Sequence, residues 1–501
     1  MSQVILITGS PHAETKAIGA YQVANVLRQN GYSVQVIDCY PEAIRDNFPF
    51  FLKTLDKFLS KDTLWVGFST TFLYYDGKRA LLDLQKDINR TLLSEEKYKE
   101  LRDLISSRNP KCCLVAGGAK SKYSKPNEFD VYISGYADIS AVQFTRFCEG
   151  KALYFPHTRN EDGSITVDSD TKASTFNFTG STFRWHDNDI VVPGSSLPIE
   201  LSRGCIFKCA FCAFPLNGKK KLDYIKDPAI LVDHLQENYE RFGSKDYIFS
   251  DDTYNDSMWK MEMLFNKVFS KLKFKISFGT YLRLDLIHAF PDSIALLRES
   301  GLKSTFFGIE SLHHKSNKAV GKGLAPEKVI STLHKVRAEW PDVMMQGGFI
   351  VGLPYESETS AREWLDIITQ KDFPLDGMHM KQLLINNPMS PWQNLISEDP
   401  KKFGFETGGN TVTKHGDASE VLDWTNSTGL TFSKAAEISK EYTDILTNNG
   451  KIRALTWPVI IGAKSMGLDF ARGMDQKKFL EDYVEKRRLR VKSYFSHLIN
   501  L

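Results

Sequence analysis

Short apolar runs alternate with amphipathic stretches from the start of the chain, and this rhythm stops once and begins again. Val4-Ile5-Leu6-Ile7 is an apolar run closed by Gly9-Ser10-Pro11. A 3.6-residue periodicity from Ile18 to Gln29 ends at Asn30-Gly31, a helix-stopping pair. Further runs at Val34–Asp38, Leu64–Ser69, Cys113–Gly118 and Val131–Gly135 predict four more strands. Short apolar strands spaced by helices predict a doubly wound parallel sheet over residues 1–150, its ligand crevice at the carboxyl ends of the strands. Residues 151–195 are polar and threonine-rich and read as a linker with some irregular strand. From 196 the rhythm restarts. Strands are predicted at Leu197–Ser202, Tyr247–Ser250, Ile276–Tyr281, Thr305–Ile309, Met345–Val351 and Met378–Leu384, with helices near 227–242, 257–271, 291–300, 326–339 and 358–370. Six βα units over 196–385 are fewer than a closed eight-fold barrel needs. Residues 386–430 read as a loop, followed by helices at 433–448 and 475–499, so 386–501 is expected to be a mostly helical C-terminal region.

Composition narrows the class. Hydrophobic residues make up 42% and charged residues 25% of 501, as in ordinary soluble domains. The formal net charge of +3 is too near balance to argue for nucleic acid or an acidic membrane. No apolar run approaches the roughly 20 residues that span a bilayer, and Trp457–Ala463 is far too short. The first residues read as a strand and not as a signal peptide. Seven cysteines, none after Cys212, do not make a secreted disulfide framework, and a reducing cytoplasm is the expected location.

Three of those cysteines carry the chemistry. Arg203-Gly204-Cys205-Ile206-Phe207-Lys208-Cys209-Ala210-Phe211-Cys212 spaces them Cys-x3-Cys-x2-Cys. Such a triplet can hold three irons of a [4Fe–4S] cluster and leave the fourth open. The bland alternative is a structural zinc site, which wants a fourth nearby Cys or His that this stretch lacks. The triplet resembles the signature of the radical SAM enzymes. In that family the open iron binds the amino and carboxylate groups of S-adenosylmethionine (SAM), and the reduced cluster cleaves it to a 5′-deoxyadenosyl radical. The resemblance implies a partial, six-unit barrel with its site at the carboxyl ends of the strands, and an electron donor such as a reductase, flavodoxin or ferredoxin. It also implies that Phe211 lies near the adenine.

The remaining strand ends match family positions. Ser250-Asp251-Asp252 stands where the family binds the SAM ammonium, although a helix N-cap is the alternative for these residue types. Arg283 has the planar fork to pair with the SAM carboxylate, or with a surface partner. Gly308-Ile309-Glu310-Ser311 resembles a family stretch that implies ribose or methionine contacts for Glu310 and Ser311; a buried ion pair is the other reading of Glu310. Gly347-Gly348-Phe349-Ile350-Val351-Gly352-Leu353-Pro354, with Glu356 and Thr359 after it, resembles the adenine-binding stretch and implies SAM contacts for Ile350, Gly352 and Pro354. Lys219-Lys220-Lys221 reads as a solvated charge run or a docking patch for an electron donor.

A doubly wound domain ahead of such a core resembles the subclass that binds cobalamin. Ser69, Thr70, Gly117 and Gly118 are the implied contacts, the glycines allowing close approach. The Asp-x-His-x-x-Gly segment that ligates cobalt in some cobalamin proteins is missing, and His12 lacks that context. The expected function is cobalamin-dependent methylation of an unactivated carbon. Radical rearrangement, cyclisation or oxidation without methyl transfer is the main alternative, and a cluster-and-SAM sensor or scaffold the non-enzymatic one. A methylthiotransferase would need three more cluster cysteines at spacings not found among Cys39, Cys112, Cys113 and Cys148. The substrate and the catalytic residues that act on it are not legible, although Trp424 and Trp457 are aromatic candidates for either a pocket or the core.

Overall fold

A computed structural model describes residues 2–9, 15–38, 44, 47–70, 95–118, 121, 129–169, 176–214, 218, 224–388, 393–412, 421–451 and 456–501. His12, Cys39 and Lys219-Lys220-Lys221 lie outside the described residues. The chain forms two compact units, Met1–Pro193 with His415–Ala418 and Glu485–Leu501, and Gly194–Lys414 with Ser419–Val484.

The first unit is built on strands β1 (Val4–Thr8), β2 (Val34–Asp38), β3 (Trp65–Ser69), β4 (Cys113–Gly117), β5 (Val131–Ser134), β6 (Thr158–Arg159) and β7 (Ile165–Asp168). They lie in the order β2-β1-β3-β4-β5-β7-β6. All neighbours run parallel except β6 and β7. β1 and β2 are buried at every position, as expected when helices cover both faces of a parallel sheet. The segment read as a linker therefore adds two strands to this sheet. Its hydrophobic content was too thin to signal them, because an edge pair buries little. The end of the last helix (Gln476–Asn500) also belongs here: Tyr494, Phe495 and Leu498 sit in the same core as Ile5, Phe51 and Val66.

In the second unit six parallel strands follow chain order: β8 (Leu197–Ile199), β9 (Asp246–Phe249), β10 (Ser277–Leu282), β11 (Leu302–Glu310), β12 (Met344–Val351) and β13 (Gly377–Gln382). This is the expected partial barrel. Helices 228–242, 258–267, 326–339 and 358–368 recur between strands, close to the predicted spans. The loop expected at 386–430 instead contains a three-stranded antiparallel sheet, Ile385–Asn386, Phe405–Val412 and Val421–Asn426. Trp424 is buried within it and donates to Leu383 O at 3.0 Å, so it serves the core.

Trp457–Lys464 is a helix that lies on the inner face of the partial barrel. Its backbone is held by side chains of β12, β11 and the residue that precedes β8. Gln346 Oε1 accepts from Trp457 N (2.8 Å), Ser304 Oγ donates to Trp457 O (3.2 Å) and Ser196 Oγ donates to Ile461 O (2.7 Å). Lys464 closes the lower end on Asp246 at 2.9 Å. Gly279 makes room for it: a Cβ there would meet Trp457 at 2.7 Å and Ile461 at 2.9 Å. The helix is apolar on every side because it is enclosed.

Candidate functional site

The cysteine loop follows β8 and is clamped from below. Asp251, buried at the end of β9, accepts from Leu201 N (3.0 Å), Ser202 N (3.1 Å) and Ser202 Oγ (2.9 Å). Lys260, also fully buried, pairs with Asp251 at 3.3 Å and Asp256 at 3.6 Å, and donates to Ser202 Oγ and Thr253 O. A buried cation between two carboxylates is tolerable only because the charges are paired and hydrogen-bonded. The geometry thus gives Asp251 to the loop, and Ser257, not Ser250 or Asp252, caps the following helix.

Cys205 and Cys209 are buried and Cys212 is half-buried; all three thiols are free of disulfides. Donors are aimed at two of the sulfurs. Phe207 N points at Cys205 Sγ (3.4 Å) and Arg283 Nη1 at Cys209 Sγ (3.1 Å). The Cys205 thiol lies 3.5 Å from Thr253 Oγ1, and burial pushes its pKa up. Burial favours the proton, whereas amide and guanidinium donors favour the thiolate that iron requires. Among the described residues no three His, Cys, Asp or Glu side chains converge on the centre of a single ion. A cube gives each thiolate its own iron, so its ligands need no common centre. The triplet therefore fits a cluster.

Arg283 was expected to hold a ligand carboxylate. The carboxylate it holds in the structure is Asp285, through Nε (3.0 Å) and Nη2, while Nη1 supports Cys209 and Phe207 stacks on the guanidinium at 3.9 Å. Phe211 is half-buried, and its carbonyl accepts from Asn394 Nδ2 at 3.0 Å.

Asp252 is half-buried beside exposed Ser250, and its carboxylate accepts from the Gly204 amide at the head of the cysteine loop. Burial, reinforced by the charge of Asp251, pushes its pKa up to about 7. Such a group gains from a cationic ligand, and an ammonium fits it.

Glu310 ends β11 with a left-handed backbone, φ 71°. Its carboxylate pairs with Lys322 at 3.3 Å, which also donates to Gly308 O at 2.9 Å. A Cβ on Gly308 would meet the ends of both partners, at 2.7 and 3.0 Å, so a side chain there would push the pair aside. A strained backbone at a strand end of this kind is held by its surroundings and marks functional sites. Burial raises the pKa of Glu310 and the Lys322 charge opposes the rise.

Ser311 donates to Glu356 Oε1 at 3.0 Å. Glu356, two residues past Pro354, is the hub here: it also accepts from Trp364 Nε1 (2.8 Å) and Gly352 N (2.6 Å). Burial lifts its pKa to about 7 despite those three donors. Gly352 has φ 90°, and a Cβ there would meet Trp424 at 2.4 Å. Pro354 O accepts from Ser316 Oγ at 2.6 Å, and Ile350 is half-buried on the inner face. These links bring the ends of β11 and β12 into one rigid rim. Below the rim, Tyr281 is 42% exposed, with Trp457 at 5.2 Å and Phe306 at 5.5 Å, and His379 lies 5.4 Å from Phe306. Sequence reading offered only Trp457 of this aromatic floor as a pocket candidate, because Tyr281, Phe306 and His379 come from three separate strands.

In the first unit, Ser69, Thr70, Gly117 and Gly118 do meet at the carboxyl ends of β3 and β4. Ser69 pairs with Gly117 across the ladder, and Thr70 N and Oγ1 donate to Gly117 O at 2.7 and 3.0 Å. Gly118 has φ 109°, and a Cβ on Gly117 would meet nothing nearer than Phe68 O at 3.9 Å. A close-approaching ligand fits such an edge.

Residues 199–368 match the radical SAM superfamily. The methylthiotransferase RimO of ribosomal protein uS12 from Rhodopseudomonas palustris is 26% identical over 187 residues, covering 35% of this chain and 42% of that protein. The bacteriochlorophyllide d C-12(1)-methyltransferase of Chlorobaculum tepidum is 27% identical over 219 residues, covering 42% of this chain and 44% of that protein. The chain thus spans less than half the length of these two curated relatives. Among solved structures, the radical SAM methyltransferase TsrM from Kitasatospora setae, determined with tryptophan substrate and a SAM analogue, superposes over 99% of this chain and 100% of its own. The TM-score is 0.63 at 14% identity. The cobalamin-dependent radical SAM enzyme OxsB superposes over 98% of this chain and 72% of its own, with TM-score 0.58 at 15% identity. At these identities the likeness is one of fold.

Proposed function

We propose a methyl-transfer function for this chain, which is a radical SAM enzyme by virtue of the domain at residues 199–368: cobalamin-dependent methylation of an unactivated carbon. The domain implies a [4Fe–4S] cluster and SAM. When bound, these groups supply a 5′-deoxyadenosyl radical, and cobalamin a transferable methyl group.

The chain's own residues hold and orient. Cys205, Cys209 and Cys212 carry the cluster, with Arg283 and the Phe207 amide fixing two of the sulfurs. Asp252 and Ser250 take the SAM ammonium. Glu310, held by Lys322, and Ser311, held by Glu356, face its ribose or methionine end. Ile350, Gly352 and Pro354 border the adenine together with Phe211. Ser69, Thr70, Gly117 and Gly118 border the cobalamin tail. The aromatic floor of Tyr281, Phe306 and Trp457 offers an apolar face to the substrate while the enclosed helix excludes water from below. A reductase, flavodoxin or ferredoxin is the expected electron source.

The observation that carries this reading is the donor-supported cysteine triplet at the end of β8. Anaerobic reconstitution with iron, sulfide and cobalamin, followed by dithionite and SAM, should yield a brown protein that retains a corrinoid spectrum and releases 5′-deoxyadenosine. A colourless chain, or a zinc-bound one, would refute the radical reading. A brown, active chain that retains no corrinoid would refute methyl transfer alone.

A further inference from the structure

Arg283 directly follows β10, is 5% exposed, and is held along its whole length. Asn255 clamps its backbone from both sides: Arg283 N donates to Asn255 Oδ1 at 2.8 Å, and Asn255 Nδ2 donates to Arg283 O at 2.9 Å. Asp285, in the first turn of the helix Leu284–Ala289, accepts from Nε at 3.0 Å and from Nη2. Asp285 is itself fixed, its Oδ1 accepting from Leu286 N at 3.1 Å. Nη2 also donates to Gly321 O at 3.1 Å. The backbone passes close to the cysteine loop there: a Cβ on Gly321 would lie 3.8 Å from Cys209 Cα. The Phe207 ring covers the guanidinium at 3.9 Å. With Nε and Nη2 engaged, Nη1 is aimed at Cys209 Sγ, 3.1 Å away.

An ion pair that served stability alone would end at Asp285. This one carries a directed N–H onto a buried cysteine 74 positions away in the chain. Hydrogen bonds to ligand sulfurs and nearby charge set the potentials of iron–sulfur clusters. One-electron reduction adds negative charge that spreads onto the sulfurs, and a charge-assisted donor strengthens as its acceptor becomes more negative. Asp285 offsets the distant field of the guanidinium, but not the N–H at contact distance.

We propose that Arg283 sets the reduction potential of the cluster: its Nη1 hydrogen bond to Cys209 Sγ favours the reduced state, and Asp285 and Asn255 are the positioning residues that aim it. The inference rests on the radical reading, in which Cys209 carries an iron. One electron arrives from a reduced flavodoxin or ferredoxin, which is oxidised by one electron. Arg283 keeps all its protons, and no covalent bond to it forms or breaks. Without this hydrogen bond the same electron is harder to accept, and the donor protein reduces a smaller fraction of the chain.

The test is an anaerobic redox titration of the reconstituted full chain, followed by EPR in the absence of SAM, with R283M/D285N and R283K beside the wild type. The double variant removes donor and counter-charge together, so no carboxylate is left unpaired. Its ratio of reduced to oxidised cluster at a given potential should fall about tenfold, a midpoint about 59 mV lower for one electron. R283K keeps the cation without the fork that serves Asp285 and the sulfur together, and its ratio should fall by a similar factor. Midpoints are read per cluster, so partial loading does not shift them. A further measurement needs no variant: wild type labelled with 15N-arginine should show a 15N hyperfine coupling to the reduced cluster in pulsed EPR. Either variant at the wild-type midpoint, or a wild-type cluster without that coupling, would overturn the proposal. A wild-type chain that takes up no iron and sulfide would instead strike the radical reading itself.

Discussion

Single residues decide how the site is charged. Lys260 is the clearest case, since its removal leaves Asp251 and Asp256 buried together. K260M is expected to cost about 3–5 kcal/mol, the usual price of an uncompensated buried charge, and to lower the iron retained after reconstitution. Urea denaturation checks it, and a loss under about 1 kcal/mol would show that the pair behaves like an exposed one. Glu356 makes a different kind of claim. Its folded pKa, about 7, lies above the ordinary 4.5. The stability it lends is therefore full below pH 4.5 and falls away as pH rises toward 7. The 2.5-unit gap corresponds to roughly 3 kcal/mol at most. Wild type should lose up to that much relative to E356Q between pH 4.5 and 7, and parallel pH–stability curves would rule out the elevated pKa. At this scale the sequence displayed residue types but not their partners. Glu310 was legible as a strand-end carboxylate; that Lys322 holds it was not. Arg283 was legible as a fork; Asp285, two residues on, turned out to fill it.

Elements are where the reading from periodicity was strongest. Every strand of the partial barrel and its main flanking helices were visible as runs and repeats, because each buries one face or both regardless of its neighbours. The exceptions share a cause. The strands at 158–168 and 405–426 are edge or antiparallel pairs with thin patterns, and Trp457–Lys464 is apolar without amphipathic contrast. This last helix supports the inner face of the barrel. G279A should force it outward, since the new Cβ would sit within 2.9 Å of Trp457 and Ile461. The expected cost is about 1–3 kcal/mol by overpacking, read as a lower melting temperature together with reduced yield of 5′-deoxyadenosine. An unchanged melting temperature would mean that the helix packs loosely there.

At the scale of the whole molecule, the last helix returns the chain's end to its first unit. Ending the chain at Val484 removes Tyr494, Phe495 and Leu498 from that core. At about 1.5–3 kcal/mol per buried side chain, the truncated protein should lose protease resistance in residues 2–190 before the barrel unfolds. Equal digestion rates for the full and shortened chains would contradict that packing. Among the described residues no helix is long and apolar enough to cross a membrane.

The sequence alone determined the alternation of strands and helices, its restart near residue 196, and the Cys205-Cys209-Cys212 triplet, because periodicity and ligand spacing are properties of residues near one another in the chain. Only the tertiary structure decided which groups oppose each other across long separations: Glu356 under Ser311, and the 457–464 helix inside the barrel. Such pairings depend on how the elements close around a core, and no local pattern encodes that closure.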